Sequence, residues 1–104
     1  MTVEHQTIDG RIICKVSGAL CIWEVAAAWT EMAPLLSSAA PLEIDLSDVD
    51  QCDGSGVQIL CQIQRIINKK QKAITVTGLS NSVQSAILQA GLNQDVFKMH
   101  SKGN

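Results

Sequence analysis

One short segment of this chain, Asp53-Gly54-Ser55-Gly56, carries residue types that could do chemistry. Ser55 stands between Gly54 and Gly56, two residues after Asp53, and further acids (Asp45, Asp48 and Asp50) lie just upstream. A serine so placed can be a nucleophile, a phosphate acceptor or a helix cap. Nucleophilic use requires a base within reach. No histidine lies in the segment, and His5 and His100 stand near opposite ends of the chain. The G-x-S-x-G nucleophile turn is also absent, because Asp53 and Val57 occupy its two glycine positions. Gly-Ser-Gly falls short of a phosphate loop: no lysine follows it, and no G-x-G-x-x-G is present. The carboxylates are expected in an exposed loop, without the burial that would separate their pKa values for acid and base roles. Catalytic residues are therefore expected to be none, and the segment is read as a binding surface.

Local physics also suits these residues. Ser55-Gly56-Val57-Gln58 fits an S-x-x-Q capping box. Asp53 complements the positive pole of the helix that follows. The two glycines would permit positive φ or a close approach by another backbone. Asp45 points away from the apolar side of its strand, and Asp48 and Asp50 add charge to the expected loop 48–56.

The remaining chemistry-bearing residues point to no cofactor. Cys14, Cys21, Cys52 and Cys61 form no C-x-x-C pair, and no histidine stands at zinc-ligand spacing from them. Cys14 and Cys61 sit in apolar patterns and read as core residues. Cys52 could be exposed, but its acidic neighbours disfavour the thiolate. No metal is expected. A net charge of −2 and one small basic cluster (Lys69, Lys70, Lys72) argue against nucleic-acid binding. The cluster reads as the cationic end of a helix. No apolar run approaches the ~20 residues that span a bilayer. The opening MTVEHQTIDG has neither a basic nor an apolar signal region, so a cytoplasmic location with reduced thiols is expected.

The elements that must position these residues follow from periodicity. The chain has 104 residues, 46% of them apolar and 17% charged, enough for one domain with one core. Residues 2–8 and 11–17 alternate around Asp9-Gly10, a hairpin turn signal, and Gly18 is expected to close the second strand. Residues 22–38 switch to helical spacing, with Ile22, Val25, Ala26, Trp29, Met32, Ala33 and Leu36 as the apolar stripe. Trp29 is expected in the core and Trp23 partly exposed. Pro34 predicts a kink or an early end. Residues 42–47 form an alternating strand, 55–71 a second helix, 73–78 a strand rich in β-branched residues and 80–90 a third helix. Asn81 and Gln84 are expected to cap that helix, and Gly91 to end it. Residues 95–99 predict a short strand or turn, and 1–10 and 100–104 are expected to fray. The order β-β-α-β-α-β-α implies an α/β domain: a mixed sheet of four to five strands, one parallel crossover, and helices packed on one face.

The stretch IDLSDVDQCDGSGVQIL resembles the central motif of STAS domains, in which a hydrophobic-Asp-Leu-Ser strand leads through a short loop into Asp-Ser-Ser-Gly or Asp-Thr-x-Gly and an apolar helix. The likeness extends to Ile12–Leu20, to Ile74–Gly78 with the following Leu79–Val83, and to Ala90-Gly91-Leu92, nearly the whole chain. The resemblance implies a single STAS-like domain over 1–104 that acts without catalysis, as an anti-sigma-factor antagonist or a chemotaxis or sensory regulator. Its partner would be an anti-sigma factor resembling a serine-kinase ATPase. Asp53, Gly54, Ser55, Gly56, Val57 and Gln58 would form the docking or switch surface, supported by Asp45 and Asp48. The resemblance leaves two alternatives open: a constitutive accessory subunit of a lipid-transport ABC complex, partnered by the transporter ATPase, or a domain that binds a small molecule or nucleotide. In the family's best-known branch the residue after the Asp is a phosphorylated serine. Here that residue is Gly54, so the acceptor is missing, Ser55 is the one candidate replacement, and no phosphorylation switch is expected.

Overall fold

Asp9 and Gly10 both adopt positive φ, 51° and 80°, the backbone of a two-residue turn that matches the twist of paired strands. They join β1 (Thr2–Ile8) to β2 (Arg11–Leu20) in an antiparallel pair that runs from Ile8↔Arg11 to Thr2↔Ser17. The hairpin is thus formed along its whole length. The computed structural model describes residues 1–70 and 73–92; the expected element at 95–99 and the tail at 100–104 lie outside them.

Two further strands, β3 (Leu42–Cys52) and β4 (Ile74–Leu79), add in parallel to give the sheet order β1-β2-β3-β4. The register aligns Ile12, Leu42 and Ile74 in one row and Cys14, Ile44 and Val76 in the next, all buried. Alternation then sends Ile13, Glu43 and Thr75, and beside them Lys15, Asp45 and Thr77, to the opposite face, which stays partly open. Three helices, α1 (Val25–Ser37), α2 (Gly54–Lys70) and α3 (Asn81–Gln89), cover the apolar face. Leu60 and Ile63 of α2, Met32 and Leu36 of α1, and Val83 and Ile87 of α3 are each at most 2% exposed against it. The architecture is the expected single α/β domain, with a four-stranded mixed sheet.

The third strand departs most from expectation. It runs to Cys52, five residues past the expected end, and absorbs most of the expected acidic loop. Two observations explain this. Strand β2 does not stop at Gly18 but continues to Leu20, and two irregularities in register, between Lys15 and Ser17 and between Gly18 and Ala19, let β3 stay paired with it. Val49 is 1% exposed, so the tail is anchored in the core. Only Asp53 separates this strand from α2. A third irregularity lies at Gly78, φ +62°, where a Cβ would sit 2.7 Å from Asp45 Oδ1 and 3.0 Å from Ser47 Cβ. The bulge and its glycine make room for the Asp45 carboxylate.

Helix α1 starts at Val25, not at residue 22. Residues 21–24 form a turn in which the Glu24 and Val25 amides both donate to the Cys21 carbonyl, at 2.8 and 3.1 Å. The buried stripe is accordingly Ala28, Met32, Leu35 and Leu36, while Ile22 is 62% exposed. The helix passes through Pro34 to Ser37, without the expected early end. Leu35 and Leu36, beyond the proline, are buried and hold the last turn to the core. In α3 the cap is Ser80, whose hydroxyl accepts from the Val83 amide at 3.2 Å. Gln84 Nε2 reaches back to the Leu79 carbonyl at 2.8 Å, so the expected Asn81–Gln84 pair does not form. The end at Gly91 is as expected, with the Gly91 amide on Leu88 and the Leu92 amide on Ile87.

Candidate functional site

Asp53 organises the junction of β3 and α2. Its Oδ1 accepts from the Ser55 amide at 2.9 Å and from the Gly56 amide at 3.3 Å, two of the donors that the first turn of α2 leaves unpaired. Its Oδ2 accepts from the Ile22 amide at 3.1 Å. The carboxylate therefore caps α2 and clamps the turn before α1 to it. It is the capping residue itself, and Ser55 lies inside the helix. The expected S-x-x-Q box does not form, because α2 already begins at Gly54 and the cap position falls on Asp53.

The two glycines have different reasons. Neither takes positive φ. At Gly56 a Cβ would run into the Leu20 carbonyl and come within 2.7 Å of Cys52 Sγ, so the close approach is to this chain's own β2 end rather than to a partner. At Gly54 a Cβ would meet nothing within 4 Å. The position that lacks the expected acceptor could hold a serine without steric cost.

The six candidate contact residues are thereby sorted. Val57 is 3% exposed and Gly56 is buried, so neither can touch a partner; the first helical turn places Val57 inward beside Leu60. Gln58 and Gly54 are exposed and Ser55 half-buried. The supporting acids divide likewise. Asp45 Oδ1 accepts from the Ser47 amide at 2.9 Å and its hydroxyl at 2.7 Å, which holds the strand at its bulge. Asp48 lies on β3, where Lys15 Nζ meets its Oδ2 at 2.8 Å and, through that hydrogen bond first, raises the Lys15 pKa.

Two thiols border the junction on its other side. Burial first, then the charge of Asp53, pushes the Cys52 thiol up to about 11, and its Sγ–H donates to the Asp53 carbonyl at 3.6 Å. Burial and the same carboxylate raise Cys21 as well. Cys52 is thus half-buried and a poor nucleophile, not the exposed thiol that the sequence allowed. Cys14 is buried as expected, and Cys61 is half-buried at the rim of the core. Among the described residues no three His, Cys, Asp or Glu side chains gather as a metal site requires, and no helix is long and apolar enough to cross a membrane. No hydrogen bond joins Ser55 to a base among them; His5 lies on β1, at the sheet edge.

Sequence reasoning missed a groove of about 450 Å³ between α1 and α2, lined by Val25, Ala26, Trp29, Ser55, Gln58 and Ile59. Trp23, 88% exposed, follows Ile22 in the turn before α1, two residues ahead of the lining residue Val25. Trp29 forms its wall and is half-buried, where the core was expected. The available signal was Trp23 itself, an aromatic residue off the apolar stripe.

A family described as "Mlab, STAS domain" matches residues 4–99. No curated protein sequence matches the chain. Among solved structures, an anti-sigma factor antagonist from Mycobacterium paratuberculosis aligns with a TM-score of 0.74 at 24% identity, covering 92% of this chain and 81% of that one. The anti-sigma factor antagonist SpoIIAA, in its unphosphorylated form, aligns with a TM-score of 0.66 at 13% identity, covering 88% and 82%. At these identities the two structures establish a shared fold.

Proposed function

Because the chain belongs to the STAS-domain family, we propose that it is a non-enzymatic regulatory module that docks a protein partner through the start of α2 and the groove beside it. One observation carries this reading: all three described hydrogen bonds of the Asp53 carboxylate are to backbone amides of its own chain, and they fix the start of α2, from which Gln58 is exposed, to the Ile22–Trp23 turn. A preorganised surface binds without first ordering its side chains and loops. The partner is of the class that anti-sigma-factor antagonists engage, a serine-kinase-like ATPase. Membership of the STAS family leaves room for a second reading, a fixed subunit of a lipid-transport ABC complex that meets the transporter ATPase with the same surface. Gly54 favours fixed over switched docking, since the usual acceptor hydroxyl is missing. Both readings place the protein in the cytoplasm.

The test is affinity capture from source cells with wild-type bait beside Ser55→Glu/Gln58→Arg, a variant that leaves the Asp53 clamp intact. Capture by the wild type alone of a kinase-like ATPase supports the regulatory reading. Capture of a transporter ATPase supports the subunit reading. Equal capture by both baits would remove the site from α2.

A further inference from the structure

An exposed tryptophan and a groove lie next to each other along the chain: Trp23 precedes by two residues Val25, which lines the groove between α1 and α2. We propose that the α1–α2 face docks a second copy of this chain, with the Trp23 side chain of each copy in the groove of the other. This rests on the reading of that face as a docking surface and adds its regulation, since a copy so paired cannot engage another partner.

The projection is fixed before binding. Trp23 is 88% and Ile22 62% exposed, yet their turn is held by the Ile22 amide on Asp53 and by two amides on the Cys21 carbonyl. A tryptophan on a rigid turn contributes a large apolar area and loses little freedom on docking, which is why tryptophan is frequent among residues that dominate interface energies. The groove beside it has apolar walls, from Val25, Ala26, Trp29 and Ile59, and a polar rim from Ser55 and Gln58. Knob and socket on one surface are what a twofold, self-complementary interface requires.

The charge along this face selects the orientation. At the knob end stands Glu24, whose side chain makes no capping bond to α1, with Asp53 nearby. Following the α2 stripe from Ser55 through Gln58, Ile59 and Gln62 leads to Arg65, Ile66 and Lys69 at the far end. The face is thus acidic at one end and basic at the other. Two copies related by a twofold axis across it place Glu24 of each opposite the basic end of the other, whereas a parallel arrangement would oppose like charges.

Sedimentation velocity on the full chain, over a series of rising concentrations, tests this. The expected result is a monomer–dimer equilibrium whose dissociation constant rises at least about tenfold in Trp23→Ala. The thermal midpoint of that variant should be unchanged, since the side chain is exposed. Glu24→Lys should weaken the dimer, and adding Lys69→Glu in the same chain should restore it. A chain that stays monomeric throughout, a dimer indifferent to Trp23→Ala, or no restoration by the double reversal would overturn the proposal. A monomeric chain would leave the partner-docking reading standing, because the capture experiment uses substitutions in Ser55 and Gln58 and does not depend on self-association.

Discussion

The Asp53 carboxylate and the Ile22 amide, 31 residues apart in sequence, are joined by a 3.1 Å hydrogen bond that ties the start of α1 to the start of α2. The same carboxylate caps α2, so one side chain sets the relative placement of two helix starts.

Removing it should cost stability more than a surface charge would. Asp53→Ala loses the cap, at about 0.5–2 kcal/mol, together with the clamp on Ile22. Asp53→Asn, which keeps one oxygen acceptor, should cost less. Chemical denaturation of the two variants decides; equal stability of Asp53→Ala and wild type would show that the bonds contribute nothing.

The glycines on either side of Ser55 should respond in opposite ways. Gly56→Ala forces a Cβ against the Leu20 carbonyl and Cys52 Sγ and should destabilise by about 1–3 kcal/mol. Gly54→Ala meets open space at the first helical position and should be neutral or stabilising by about 0.4–1 kcal/mol. Thermal midpoints of the pair check this; a reversed order would contradict the geometry.

Phosphorylation should fail in the wild type. Incubation with a cognate serine kinase and ATP is expected to leave the intact mass unchanged, whereas Gly54→Ser, which the open space at that position accommodates, should take up phosphate. A phosphate mapped to Ser55 of the wild type would refute this and reinstate a switch.

Alkaline pH should weaken the fold. The Cys14 and Cys52 thiols, raised to about 11 mainly by burial, hold their protons more tightly in the folded state. With more protons bound when folded, stability falls as pH rises. Their contribution is complete below the unfolded thiol value near 9 and is lost as pH passes through about 11. Urea midpoints across that range should decline, and less steeply in Cys52→Ala. Identical slopes in the variant and the wild type would exclude the thiol as the cause.

Most of the fold was legible because its signals are local. Asp9-Gly10, the alternation of Leu42, Ile44 and Leu46, and the spacing of Leu60, Ile63 and Ile67 each act within a few residues. What was not legible depends on long-range pairing. Strand β3 continues to Cys52 only because β2 continues to Leu20 beside it, and that register is not visible in either segment alone. The site was misread for the same reason. Ser55 looked like the cap because Ser-x-x-Gln is a local pattern, but Asp53 takes the role through bonds that include an amide far upstream. Val57 belongs to the docking surface that the resemblance implies, but the rotation of α2 against the sheet turns it inward.

The helices occupy one face of the sheet, and this leaves β1 with almost no apolar anchor. Of its seven residues only Val3 is even half-buried, and among the described residues β2 is its sole neighbour in the sheet. Opening β1 therefore exposes little that was dry. Its amide protons should exchange with solvent deuterium well before those of β3 and β4, at an opening free energy below that of global unfolding. In such an experiment the chain would separate into a slowly exchanging body and an N-terminal strand that detaches and returns without the rest.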